Sequence, residues 1–155
     1  MPVFHLAELN IARLLHPLDD PRIHEFVDGL DSINRLADQS PGFVWRLKTE
    51  SGNATDAHHP WSQDPFMLVN LSIWESPESL REYTYKSNHL DYLRRRTEWF
   101  ERPTDPHYVL WWVQAGQIPT LEEAQNRLTH YRTQGPTPKA FWFNTLYPAP
   151  LAVPI

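Results

Sequence analysis

The sequence places one histidine, His89, among aromatic residues in the stretch Y-K-S-N-H-L-D-Y-L-R-R-R-T-E-W-F-E, residues 85–101. At about 100° per residue, a helix through this stretch brings Tyr85, His89 and, more loosely, Arg96 onto one surface. A histidine among polar neighbours can act as a general acid or base, or as an axial ligand of haem iron. The same residue could instead be a helix histidine that hydrogen-bonds to a loop, so both interpretations stay open.

Asn10 and Asn70 interrupt strongly apolar stretches that alternate as strands do. By alternation, Asn70 shares one strand face with Ser72 and Trp74. Polar groups on a covered sheet face need partners, which are either a ligand's carbonyl or hydroxyl groups or neighbouring strands. The residues predicted to line a small-molecule pocket are Asn10, Trp45, Asn70, Trp74, Tyr85, Arg96 and Trp112.

Other candidate sites are weaker. The arginine triplet 94–96 points in different directions round a helix beside acidic residues, which predicts a solvated face, although Arg96 alone could meet a ligand carboxylate. Adjacent His58 and His59 seldom bind one ion well, so we predict no metal site there. The sequence also lacks a nucleophile elbow, a phosphate loop and a zincin motif.

Composition narrows the class of protein. The 155 residues carry a formal net charge of -5 and no cysteine, which disfavours a nucleic-acid partner and removes disulfides and thiolate chemistry. No stretch approaches the roughly 18 apolar residues of a membrane span, and the N-terminus does not resemble a signal peptide. We therefore expect a soluble, cytoplasmic protein with no membrane partner.

Hydrophobic periodicity and helix-start signals divide the chain into regular elements. Asp20, Ser76 and Thr120 are each placed as a helix N-cap. The predicted strands are 3–11, 43–49, 66–74, 107–114 and a short one at 140–146, and the predicted helices are 21–38, 77–100 and 121–134. A long polar loop is expected at 50–65.

This order, β-α-β-β-α-β followed by α-β, predicts an α+β, ferredoxin-like antiparallel sheet with helices on one face. The other face must also be covered, and a second copy of the sheet could do this by closing a shared barrel. We assign residues 1–147 to one domain and residues 148–155 to a proline-rich tail.

Several motifs together resemble one known family over nearly the whole chain. They are H-L-A-E-L-N-I-A-R-L (5–14), S-P-G-F-V-W-R-L (40–47), N-L-S-I-W-E-S (70–76), Y-x-S-x-H (85–89), L-R-R-R-T-E-W-F-E (93–101), V-L-W-W-V (109–113) and G-P-T-P-K-A-F-W-F (135–143). They resemble the domain-of-unknown-function 3291 family of the dimeric α+β barrel superfamily. The resemblance implies a ferredoxin-like protomer that forms a homodimer. Superfamily relatives include cofactor-free antibiotic-biosynthesis monooxygenases and haem-dependent enzymes, so the fold does not fix the chemistry.

Three functional hypotheses remain. The first is a monooxygenase-like enzyme without a cofactor, in which His89 shuttles protons and asparagine and tryptophan side chains stabilise an oxyanion. The second is a haem protein with His89 as the axial ligand. The third is a non-catalytic dimeric binding or interaction protein, in which the aromatic strand faces serve dimerisation.

Overall fold

A computed structural model describes residues 3–48, 64–86 and 89–150. Its strands are β1 (Phe4–Arg13), β2 (Phe43–Arg46), β3 (Met67–Trp74) and β4 (Tyr108–Gln114). Its helices are α1 (His24–Gln39), α2 (Pro77–Lys86), α3 (His89–Arg94), α4 (Arg96–Trp99) and α5 (Leu121–Gln134), and a short 3-10 turn, Pro21–Ile23, precedes α1.

The strands form a four-stranded antiparallel sheet in the order β2-β3-β1-β4. This order confirms the predicted α+β, ferredoxin-like fold. The N-caps also lie where the sequence places them. The carboxylate of Asp20 accepts a hydrogen bond from the Arg22 backbone N–H, and the hydroxyls of Ser76 and Thr120 accept from the backbone N–H three residues later.

The predicted continuous helix 77–100 is interrupted at Arg95, which lies outside helix between α3 and α4. Trp99 and Tyr83 both pack inward, yet sixteen residues of straight helix would turn them about 160° apart. With the interruption at Arg95, Trp99 packs with Leu14 and Ile23. The Arg95 guanidinium covers the Trp99 ring at 4.8 Å.

The predicted strand 140–146 does not form either. Only single bridges occur there, between Phe141 and Leu110 and within two tight turns, at Thr137–Ala140 and Trp142–Thr145. Prolines at 136 and 138 lack the N–H that a longer ladder needs. We call residues 137–147 the strap.

The two sheet faces are covered by different helices. On one face, Ala7, Leu9 and Ile11 of β1 pack with Ala124 and Leu128 of α5. On the other, Leu6, Trp74 and Leu110 pack with Ala37 of α1 and Leu80 of α2, and we call this the site face.

This arrangement departs from the prediction that helices occupy one face alone. The core residues of the α5 face are almost fully buried within the single chain, so a second copy is not needed to cover them. The homodimer stays a prediction.

Gly29 sets how closely α3 approaches α1. It is buried, and a Cβ on it would overlap the phenol of Tyr92. The Tyr92 ring is itself held 5.7 Å from Trp99, so it cannot move aside freely. The absence of a side chain at Gly29 therefore allows α3, the helix that carries His89, to pack closely against α1.

We expect Gly29→Ala to destabilise the protein by about 1–3 kcal/mol through overpacking, although alanine is the better helix former. Urea unfolding of the single variant and of Gly29→Ala in a Tyr92→Ala background measures this. In the second background, the alanine should be neutral or stabilising by up to about 1 kcal/mol. Equal destabilisation in both backgrounds would show that Tyr92 is not the obstacle.

Candidate functional site

A carboxyl group, that of Glu8, lies buried in the middle of the site face. Glu8 occupies β1 between Leu6 and Asn10 and is only 6% exposed. The register sets it beside Ser72 of β3 and Leu110 of β4. A buried carboxyl is rare in a sheet and requires hydrogen-bond donors.

Neighbouring strand residues supply those donors. The Asn10 amide donates to Glu8 Oε1 at 2.6 Å, and the Ser72 hydroxyl donates to Oε2 at 3.0 Å. The Trp74 indole N–H in turn donates to the Ser72 oxygen at 3.0 Å. These contacts form one chain of hydrogen bonds from the indole through the hydroxyl to the carboxylate.

Burial raises the pKa of Glu8 from 4.5 to about 7, because desolvation penalises the carboxylate. The hydrogen bonds from Asn10 and Ser72 lower the pKa but do not cancel the effect of burial. Glu8 can therefore both accept and release a proton near neutral pH, as a general acid or base must.

Aromatic rings extend the site beyond Trp74. Tyr83 stacks on Trp74 with centroids 5.1 Å apart, and Phe43 meets the Trp74 ring edge-on at 5.4 Å. The Tyr83 hydroxyl donates to the Ile33 carbonyl at 3.3 Å. Burial, and after it the negative charge of Glu8, raises the pKa of Tyr83, so the phenol stays protonated.

His89 lies on the far side of Tyr83, with ring centroids 4.9 Å apart. Its Nδ1 is 3.2 Å from the Thr84 carbonyl, which can only accept, so Nδ1 carries a proton. Burial lowers the pKa of His89, and the Thr84 contact opposes this. The neutral imidazole then carries a lone pair on Nε2.

An ion pair lies at the β2 edge of the site. Arg46 is opposite Ser72 in the register, and its guanidinium donates to both carboxylate oxygens of Asp38 at 2.7 and 3.2 Å. Its side chain is only 13% exposed. The Arg46 charge lowers the pKa of Tyr83 while Asp38 raises it, so both groups act electrostatically on the site.

Exposure changes along the site face. Asn70 is exposed, its strand partner Asn10 is partly buried, and Glu8, two residues further along β1, is buried. Asn70 is exposed even though β3 is an inner strand. The site face is therefore accessible to solvent at Asn70, its open end, and buried at the Glu8 carboxyl.

The structure brings together some of the residues that the sequence singled out. Asn10 and Trp74 belong to the Glu8 hydrogen-bond chain. The His89 ring contacts Tyr83, which stacks on Trp74. Asn70 occupies the open end. Trp112 shares the site face beside Leu6, but its indole N–H donates to the Tyr147 carbonyl at 2.9 Å, which ties it to the strap.

The other predicted pocket residues lie elsewhere. A register shift between Phe43 and Trp45 turns Trp45 to the α5 face. Tyr85 is exposed and lies 6.2 Å from Phe143, whereas Tyr83, two residues earlier in α2, contacts Trp74 and His89. Arg96 is exposed and its guanidinium donates to the Leu93 carbonyl at 2.6 Å. Tyr85, His89 and Arg96 therefore do not form one surface.

The central residue, Glu8, was not among the predicted site residues. The signal was present, because strand alternation puts Glu8 on the same face as Asn10 inside a strongly apolar strand. An acidic side chain at such a position is costly unless it has partners or a chemical role.

Haem binding through His89 stays a prediction. The imidazole is half-buried, and its ring contacts Tyr83, which itself stacks on Trp74. An open depression of about 610 Å³ does occur, but it lies at the β4 edge between Trp112, Ile118 and Arg127.

In the described ranges, no group of three or more histidine, aspartate or glutamate side chains is placed to hold a metal ion. His58 and His59 lie outside those ranges. No helix among the described residues is both long and apolar enough to span a membrane.

Comparison with known proteins identifies a family and several similar structures. The model of the family described as domain of unknown function DUF3291 matches residues 5–154. A Nitrosomonas europaea protein of unknown function is similar at 13% identity and a TM-score of 0.46, covering 76% of this chain and 97% of its own. A candidate antibiotic biosynthesis monooxygenase from N. europaea follows at 12% identity and a TM-score of 0.45, covering 76% and 93%. A Pseudomonas aeruginosa protein matches at 10% identity and 0.44, covering 74% and 95%. No curated protein matches significantly.

Titration of Glu8 should couple the stability of the fold to pH. A raised pKa means that the folded state binds this proton more tightly than the unfolded state. The stabilisation is complete below the unfolded pKa of 4.5 and is lost as the pH rises through about 7. The loss is on the order of 3 kcal/mol.

We expect Glu8→Gln to abolish this loss, so that the variant gains on the wild type between about pH 5 and about pH 8. Urea unfolding of both proteins across this range measures the difference. Glu75→Gln, at an exposed position, is the control and should follow the wild type. Parallel stability curves for wild type and Glu8→Gln would contradict the raised pKa.

Proposed function

The chain belongs to the DUF3291 family, and from that premise we propose that it is a small-molecule enzyme in which Glu8 is the general base. The family description assigns no activity, so the proposal depends on the site. The observation that carries it is the buried Glu8 carboxyl, held by Asn10 and Ser72 on a sheet face that is exposed two residue pairs away, at Asn70.

The energetic cost of this carboxyl supports a chemical role. Above about pH 7, the charged Glu8 weakens the fold, although a glutamine could fill the same volume and still hydrogen-bond. Residues that destabilise a fold are commonly found where function needs them. A non-catalytic binding protein has no such need for a group that titrates at neutral pH.

The proposed reaction begins with proton removal. The Glu8 carboxylate takes a proton from a carbon next to a substrate carbonyl and becomes a neutral acid, which suits its buried position better. The charge passes to the substrate as an enolate. Asn70, exposed at the opening, offers an amide N–H to the enolate oxygen.

His89 has a different role from the proton shuttle that the sequence suggested. Burial keeps the imidazole neutral, so it adds no positive charge that would lower the pKa of Glu8. Together with Tyr83 and Trp74 it excludes water from one side of the carboxyl.

A monooxygenase-like outcome would follow if molecular oxygen reacts with the enolate. The substrate CH₂ becomes C=O, one oxygen atom enters the product, and the other leaves as water with both hydrogens. The resemblance to cofactor-free monooxygenases motivates this second stage, and it can be tested separately from proton removal.

Proton removal is measurable without knowing the natural substrate. We expect the protein to accelerate hydrogen–deuterium exchange at the carbons next to the carbonyl of 2-tetralone in D₂O, followed by proton NMR. The rate should rise with pH through about 7 as Glu8 ionises. Glu8→Gln should lower it at least about 100-fold, as expected for loss of a general base.

Glu75→Gln is the matched control and should retain the wild-type rate. Equal rates for wild type and Glu8→Gln would exclude Glu8 as the base. An oxygen electrode on the same mixtures reports the second stage: oxygen uptake that depends on Glu8 supports the monooxygenase-like reaction, and exchange without uptake limits the activity to proton transfer.

A further inference from the structure

A row of aromatic side chains lies beside the Glu8 site and has no part in the proton transfer. Tyr108 and Trp142 stack with centroids 3.9 Å apart at an interplanar angle of 27°. Phe143 meets Trp142 at 4.9 Å, and Tyr85 meets Phe143 at 6.2 Å. We call Tyr108, Trp142, Phe143 and Tyr85 the aromatic row.

The aromatic row is continuous with the proposed site. Tyr108 is the β4 partner of Asn10, which hydrogen-bonds to Glu8, so the row begins next to the site on the same sheet face. It then crosses the strap and reaches α2, the helix that carries Tyr83. The row therefore borders the side of the opening where Asn70 and Asn10 lie.

The strap that carries Trp142 and Phe143 is fixed at several points. The backbones of Phe141 and Leu110 exchange two hydrogen bonds, at 2.7 and 2.9 Å. From α5, Arg127 donates to the Lys139 carbonyl at 2.9 Å, and His130 Nε2 is 2.8 Å from the Thr137 hydroxyl. The rings are thus held in place before any ligand arrives, which lowers the entropic cost of binding.

The rings are also only partly covered. Tyr108, Trp142 and Phe143 are half-buried, and Tyr85 is 41% exposed. Rings that served only to pack the strap against the sheet would be expected to bury more of their surface, as Phe141 does at 0% exposure. A continuous, partly exposed aromatic surface is typical of a binding site.

We propose that the aromatic row is the subsite for a conjugated ring system, so that the substrate of the Glu8 site is an aromatic ketone whose planar ring lies on this row. The inference rests on the proposed function for the acidic C–H of the substrate, which Glu8 deprotonates. Binding at the ring subsite can nevertheless be tested without catalysis. A planar ring stacks favourably on such side chains, whereas a saturated ring of the same size gains area burial alone.

The probes are 2-naphthol and its saturated counterpart decahydro-2-naphthol. We expect 2-naphthol to shift the indole N–H signal of Trp142 in ¹⁵N-labelled protein and to bind about tenfold more tightly than the saturated probe. Trp142→Leu and, separately, Phe143→Leu should each weaken 2-naphthol binding about fivefold to tenfold. The Trp142 signal tests the wild type directly, should a variant fail to fold.

Ile118→Ala is the matched control, because Ile118 is an exposed apolar side chain lining the separate depression at the β4 edge. It should leave 2-naphthol affinity unchanged. Loss of binding in Ile118→Ala with full binding in Trp142→Leu would overturn the proposal, as would equal affinity for both probes.

The two proposals can fail independently. Glu8→Gln should still bind 2-naphthol while losing exchange at 2-tetralone. If Trp142→Leu and Phe143→Leu retain full 2-naphthol affinity, the ring subsite is wrong even where exchange depends on Glu8. If they lose affinity while Glu8→Gln retains exchange, the ring subsite holds and the general-base role is wrong.

Discussion

The burial of the Glu8 carboxyl is the constraint on which the rest of the site depends. An isolated carboxylate in an apolar interior would be too costly, so β1 and β3 must pair in the register that brings Ser72 opposite Glu8. A slip of one residue in the register would turn Glu8 and Asn10 to the α5 face. There they would meet the aliphatic and aromatic side chains of the core, which offer the carboxylate no hydrogen bond. The same requirement therefore fixes sheet register and site chemistry together.

Helix α3 depends on the same region through packing. His89 of α3 lies 4.9 Å from Tyr83 of α2, and the position of α3 is set by the contact of Tyr92 with Gly29 of α1. Beyond α3, Arg95 pairs with Glu98 and with Glu25 of α1. Exposed ion pairs of this kind add little stability singly, but the buried Trp99 beneath them anchors the segment.

Local signals predicted the architecture well. The strand alternation of β1, β3 and β4 and the caps at Asp20 and Thr120 depend on neighbouring residues, which a sequence displays directly. Features set by tertiary contacts were missed. The register shift in β2 that turns Trp45 away has no local signature, and the interruption at Arg95 between α3 and α4 accompanies the burial of Trp99.

The site residues likewise divide into those with a local signal in the sequence and those whose role depends on tertiary contacts. Asn10 and Trp74 were found because polar or large side chains on a strand face are visible in the sequence. Tyr85 and Arg96 were placed by assuming one straight helix, and the error followed from that assumption. Glu8 was passed over because its importance arises from desolvation, which depends on the covering of the site face by α1 and α2.

The assignment of the two sheet faces bears on whether the site needs a second chain. Helix α5 packs on the face that the sequence left for a partner sheet, and the residues that contact Glu8, namely Asn10 and Ser72, all come from one chain. The hydrogen-bond chain from Trp74 to Glu8 is therefore complete within a single chain. The homodimer stays a prediction, and the residues to which the proposed acid–base chemistry assigns a role all belong to this chain.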